Sequence, residues 1–241
     1  MKALACGLGL LAWLFWFGPA VALGQSRPAP FYSLPEDGVW VEYDWTLTDV
    51  QRKERHGVLR ISSVGKEEFD GKPCRWVELK RSAKGDKPTS KKIRKLLVAE
   101  SAGRASGFNP EGPRPLAAVL GFARDETDGP VTRLTVRRLS DVAHLGFDGD
   151  ESDLREEAKE EKIQTPLGEF VARHVSASGR IGQRRLEYHG WLTSQLPFGS
   201  AKMEIRETTN HAPARVVYSV TAARRGADAH TELAVSLSGK Q

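Results

Sequence analysis

Six histidines, a lone internal cysteine and one cluster of lysines and arginines are the residues of this 241-residue chain whose types could do chemistry. The histidines are His56, His144, His174, His189, His211 and His230. None forms a His-x-x-x-His pair and none lies beside a cysteine pair, so no zinc-ligand spacing is present and no metal is assigned. His189 and Glu187 are two residues apart and would share a strand face, the arrangement of an acid–base pair and equally of an ordinary surface pair. No Gly-x-Ser-x-Gly elbow offers a nucleophile, and the Gly-x-Gly at Gly7–Gly9 lies in an apolar N-terminal run, not ahead of a helix. Cys74 has Lys72 and Arg75 near it, cations that lower a thiol pKa, but no neighbouring histidine. It reads as a small buried apolar residue. The acidic stretch within Asp148–Lys162 lacks the Asp-x-Asp-x-Asp-Gly spacing of a calcium loop. No catalytic residue, metal or cofactor is therefore assigned, and the expectation is a noncatalytic protein.

The cations concentrate in Lys80–Lys95, where Lys80, Arg81, Lys84, Lys87, Lys91, Lys92, Arg94 and Lys95 face Asp86 alone. Gly85-Asp86 and Pro88 place a turn in the middle. Lys84, Lys91, Lys92 and Lys95 are the candidate contacts to an anionic membrane surface. The competing reading is a solvated hairpin tip with lysines guarding an edge strand. Nucleic acid is not expected as a partner, because no stacking aromatics interleave the cations and the net charge is only +5.

What would position such residues is a series of strands. Val39, Val41, Tyr43, Trp45 and Leu47 alternate with Glu42, Asp44, Thr46 and Thr48, a period of two. Gly57–Val64, Arg75–Arg81 and Ile93–Val98 follow as strands, with a turn at Phe69–Pro73. From Glu161 to Ala222 the same pattern returns. Glu169–Ser178, Arg185–Leu192, Ala201–Arg206 and Val216–Ala222 read as adjacent antiparallel strands, because short connections favour neighbours. Tyr188 and Tyr218 fall on the dry faces of that series, as Tyr43 and Trp45 do in the first. These four rings are the candidate ligand-binding residues, since aromatic rings gathered on a concave face make an apolar pocket with a few polar handles. Between the two series, 103–160 reads as an insertion of loops and short helices. Leu116, Val119, Leu120 and Ala123 share a face at helical spacing, Val131–Leu139 returns to a strand, Ser140–Phe147 forms a capped helical turn, and Asp148–Lys162 is a solvated helix or loop.

Thr165-Pro166-x-Gly168-x-Phe170, followed by Trp191-x-Thr193-x-x-x-Pro197-Phe198-Gly199, resembles a pattern of uncharacterised exported bacterial β-rich proteins. Those are similar in layout to periplasmic lipoprotein carriers, whose curved sheet half-encloses an apolar hollow. The motif covers the last third of the chain and encodes turns and strand packing. The resemblance implies a fold and supplies no catalytic residues.

The N-terminus reads as a targeting signal: Lys2, an apolar run over Ala5–Phe17, a break at Gly18-Pro19 and small residues at Ala20 and Ala22, with an uncleaved membrane anchor as the alternative because apolar character extends to Leu23. The domain layout expected is a signal peptide over 1–22, an extended leader over 23–37, one β-rich domain over 38–235 and a loose tail over 236–241. Hydrophobic residues make up 39% of the chain, enough for a core in one domain of this length. The fold expected is mainly β: a single long antiparallel twisted sheet curled into a half-barrel, with one or two short helices over its concave side. A large flat sheet would leave its dry face in water. The expected function is noncatalytic binding of a lipid-like or other apolar small molecule, in the periplasm or outside the cell. The alternative is a structural or protein–protein interaction module of an exported assembly, with a hydrolase third. The residues do not specify an oligomeric state.

Overall fold

The computed structural model describes residues 33–49, 51–84, 91–101, 115–123, 132–134, 155–181, 184–209 and 212–233. Among these residues eleven strands are formed: β1 Trp40–Thr48, β2 Glu54–Phe69, β3 Lys72–Ala83, β4 Lys91–Ala99, β5 Pro115–Ala123, β6 Thr132–Leu134, β7 Arg155–Thr165, β8 Gly168–Ile181, β9 Arg184–Leu192, β10 Ser200–Thr209 and β11 Ala212–Gly226. They make one antiparallel sheet in the order β6-β5-β4-β3-β2-β1-β11-β10-β9-β8-β7. Two meanders, β1–β6 and β7–β11, are thus joined where the first strand pairs with the last, from Trp40 opposite Gly226 to Leu47 opposite Tyr218.

The sheet is open and curled. The edge strand β7 comes back to touch β11, although three strands lie between them. The Arg81 guanidinium on β3 reaches the Tyr218 ring on β11, and the Tyr43 hydroxyl on β1 donates to the Ser200 carbonyl at the start of β10, 3.2 Å away. This is the expected half-barrel, but the one or two short helices expected over its concave side are not found among the described residues, which form strands instead.

Turn chemistry sets the register. Asp70 and Gly71 both take positive φ (50° and 68°) in the two-residue loop between β2 and β3, as a tight hairpin requires. Between β7 and β8, the Thr165 hydroxyl accepts the Leu167 N–H and donates to the Gly168 carbonyl, both at 3.1 Å, and Gly168 sits at φ 124°, beyond the reach of most side chains. The Thr193–Gly199 loop closes through Thr193 N–H to Gly199 O at 3.0 Å and turns Leu196 and Phe198 into the core. Thr-Pro-x-Gly and Pro-Phe-Gly are therefore turn and packing signals.

Two expectations for the insertion are corrected. Leu116–Arg124 is not a helix, because Pro115–Ala123 is β5, paired with β4. A short apolar run fits both periods, and periodicity alone cannot separate them. The C-terminal part of the charged run is not helix or loop either, since Arg155–Thr165 is β7, the sheet edge. Charged side chains suit an edge strand, where they deter pairing with another chain. Lys162 bonds across it to Glu169 at 2.9 Å. The strand expected over Val131–Leu139 is present as Thr132–Leu134, and Ser140–Phe147 lies outside the described residues, as do the signal segment and the tail.

The end of the leader is tied down. The Ser33 hydroxyl donates to Pro197 O at 2.7 Å, and Pro35 O accepts bonds from Ser63 and Arg75.

Candidate functional site: the concave aromatic face

Residues directly opposed on antiparallel strands project to the same side. On the concave side, one row runs Ala222, Tyr43, Leu59, Arg81 across β11, β1, β2 and β3. The next runs Val41, Ile61, Leu79, Arg94 across β1 to β4. Toward β9, Val220 opposes Met203, and Tyr218 opposes Ile205, which opposes Tyr188. Tyr43, Trp45, Tyr188 and Tyr218 thus come together in one apolar cluster with Val41, Ile61, Val175, Leu192, Phe198 and Ile205. The four rings are only 2–5% exposed, so they pack as core.

Tyr43 and Trp45 each donate a hydrogen bond to a backbone carbonyl. Tyr43 bonds to Ser200 O, and burial raises its hydroxyl pKa. The Trp45 indole donates to Ser82 O at 3.1 Å and lies over Gly57, where a Cβ would come within 2.6 Å of the ring. A Cβ at Gly190 would meet the Tyr188 hydroxyl at 2.9 Å. Burial raises the Tyr218 pKa against the opposing pull of Arg81 and Arg94.

The two arginines are the concave-side residues that the sequence analysis left in the basic run. Arg81 stacks over Trp45 at 4.0 Å and approaches Tyr218 at 5.7 Å. Arg94, on the neighbouring strand, has its pKa lowered by burial and then by the Arg81 charge. The available signal was the alternation itself: Val77, Leu79, Arg81 and Arg94, Leu96, Val98 each put an arginine on the dry side.

The four lysines do not form one surface. Lys84 is exposed at the end of β3. The Lys91 and Lys92 side chains lie outside the described residues. Lys95 is 3% exposed and inward-bonded, so it is not part of an exposed basic face. It projects to the convex side, where a strap over 227–233 crosses β3 and β4. Lys95 Nζ donates to the Thr231 hydroxyl at 2.7 Å and to Leu233 O at 2.9 Å. Glu78, 4% exposed, lies 3.5 Å from Lys95 and accepts from the Thr231 hydroxyl and from the Glu232 and Leu233 N–H groups. Leu233 and Ala229 cover Trp76, Ile93, Leu97 and Cys74 beneath. Burial raises the Cys74 thiol pKa, in keeping with a packing role.

Also on the convex side, His174 and His189 share a hydrogen bond of 3.0 Å and stack with Trp191. Glu187 lies 3.9 Å from His189, so the expected pair does meet, at the margin of an ion pair. Burial lowers the His189 pKa, with the Arg206 and His174 charges adding to it. Among the described residues, no group of three or more His, Cys, Asp or Glu is placed to hold a metal ion. An open recess of about 440 Å³ lies at the ends of β1–β3, lined by Asp44, Thr46, His56, Val58 and Lys84 around Trp45 and Gly57. Its lining mixes polar and apolar groups, and it shares Trp45 with the aromatic cluster.

No family model matches the chain, and no curated protein matches it. Among solved structures it is similar to a protein classed as exported, with a YmcC-like fold, from Bacteroides fragilis, at 9% identity and a TM-score of 0.41 over 81% of this chain and 99% of that one. It is similar also to a protein classed as a lipoprotein from Parabacteroides distasonis, at 10% identity and a TM-score of 0.40 over 83% of this chain and all of that one. Both are too distant to assign this chain a family or a function.

Proposed function

We propose that this chain is an exported, noncatalytic binding domain that holds a lipid-like or other apolar small molecule against the concave side of its sheet. The observation that carries this is the continuous apolar cluster from Leu96 and Val98 on β4 to Val175 on β8, on the inside of a sheet that does not close. A closed barrel has a fixed bore, whereas a half-barrel with two free edges widens by bending, so the packed rings can part around a ligand. The test pairs a titration with a neutral polarity-sensitive dye, N-phenyl-1-naphthylamine, and denaturation of wild type and Trp45→Ala. Saturable dye binding by the wild type, lost or much weakened in the variant, is the expected outcome. The variant also loses roughly 3–5 kcal/mol of stability, because Trp45 is nearly fully buried. Absence of saturable binding by the wild type would sink the carrier reading.

The second reading is a structural or protein–protein interaction module. The near-complete burial of the four rings favours it, because a face that is already packed needs no ligand. It would bind a partner through other surfaces. The large exposed hydrophobics among the described residues are Val171 and Val216, so any such contact draws mainly on polar surface.

A further inference from the structure

We propose that the convex groove over β3 and β4 is a peptide-recognition site that the chain's own strap fills, and that the partner it fits is the same strap of a second copy. Two copies would then exchange straps and associate. The inference concerns the outer side of the sheet and is independent of what the concave side holds.

The groove is built by the sheet and not by the strap. Three successive opposed pairs on β3 and β4 form it: Trp76 with Leu97, Glu78 with Lys95, and Lys80 with Ile93. The Trp76 indole donates to Glu67 at 2.7 Å, and Lys95 Nζ stands 5.2 Å from the centre of the Trp76 ring, so both are placed from within the sheet. Each level of the groove meets a different part of the strap. Trp76, Leu97 and Ile93 pack with Ala229 and Leu233. Glu78 reads the backbone: one carboxylate oxygen accepts the Glu232 N–H at 3.1 Å and the other the Leu233 N–H at 3.3 Å. Lys95 donates to the Leu233 carbonyl at 2.9 Å, and both charged groups hold the Thr231 hydroxyl. Lys80 pairs with Glu232 at 2.5 Å. The strap over 227–233 belongs to no strand and follows β11 directly. Its contacts with the groove are therefore made through side chains that a strap arriving from another chain would meet in the same way. A buried ion pair adds little net stability, because desolvation offsets the attraction, and its best use is to select what it accepts. Every copy carries both groove and strap, so reciprocal exchange closes as a two-fold dimer.

The experiment uses full-length chains in two variants. Leu233→Asp keeps the groove and spoils the strap, whereas Glu78→Leu with Lys95→Met keeps the strap and spoils the groove. A fluorescent label on the Leu233→Asp chain is followed by sedimentation velocity, first with an excess of the same chain unlabelled and then with an excess of the double variant. Only the second mixture brings a sound groove to a sound strap. Its association constant should be roughly 10- to 100-fold higher, the range expected for hydrogen bonds to a charged group. Adding Thr231→Val to the double variant should remove that gain. Equal association in the two mixtures overturns the exchange, and so does a gain that survives Thr231→Val. If either chain does not fold, Thr231→Val and Glu78→Gln take the places of the spoiled strap and the spoiled groove, and the same two mixtures decide.

Discussion

Glu78 and Lys95 are a buried ion pair whose remaining hydrogen bonds go to the strap. Removing one member strands the other charge in the interior, which typically costs about 3–5 kcal/mol, whereas removing both with apolar residues of similar volume is often near neutral. Lys95→Met alone should therefore destabilise strongly, and Glu78→Leu with Lys95→Met should recover much of the loss. Urea denaturation of the two variants checks this, and equal loss in both would show that the pair is not the source. His189 supplies a pH dependence. Its folded pKa lies below the ordinary 6.5, chiefly through burial, with Arg206 and His174 adding to the shift and Glu187 and Glu204 opposing it. As pH falls through 6.5 the unfolded chain gains a proton that the folded chain declines, so stability drops until the folded pKa is reached. Thermal melts at pH 7.5, 6.5 and 5.5 should show a decline, and His189→Gln should show a shallower one. Parallel declines would remove His189 as the cause. At this scale the sequence was legible wherever alternation alone decides: Tyr43, Trp45, Tyr188 and Tyr218 are on the dry side. It was illegible where a charged residue occupies a dry or covered position. Lys95 and Arg94 are adjacent in a basic run, yet one is clasped by the strap and the other points into the hollow, because what covers the convex side lies far away in sequence.

Among the elements, β1 and β2 depend on a missing side chain. A Cβ at Gly57 would lie 2.6 Å from the Trp45 ring and closer still to the Ser82 carbonyl. Gly57→Ala should thus cost about 1–3 kcal/mol by overpacking. A chemical-denaturation midpoint unchanged from wild type would show that the ring shifts freely. Strand pairing was readable where turns punctuate it, as at Asp70-Gly71 and Thr165–Gly168, and wherever one side is wet. It failed for β5 and β7 for opposite reasons. The β5 segment PLAAVLGFA has almost no polar residue to mark a face, and the β7 segment REEAKEEKIQT has almost no apolar one. Its place at the sheet edge, which makes such a composition tolerable, is a property of the topology and not of the segment.

For the molecule as a whole, the meanders could be read from sequence order but their junction could not. The pairing of β1 with β11 joins residues nearly the full described chain apart, and no local signal marks it. A chain stopped after Thr209 would keep ten strands and lose this junction, leaving β1 and β10 with open edges in mid-sheet. It should show no cooperative thermal transition by circular dichroism and should associate on sedimentation. A transition like that of the full chain would mean the first meander folds on its own.

The same junction has a consequence in time. A chain made from its N-terminus presents β1 first of the eleven strands and β11 after the other ten, so a strand that belongs inside the sheet is the last of them to exist. At ordinary synthesis rates that interval is on the order of ten seconds or more, far longer than hairpin formation. Through all of it β1 can pair with β2 while its other edge waits open. The outward residues of β1, Glu42 and Asp44 among them, carry charge during that wait. In the finished sheet Arg224 reaches Glu42 at 2.8 Å, so one carboxylate exposed on the waiting strand is met by the strand that ends the wait.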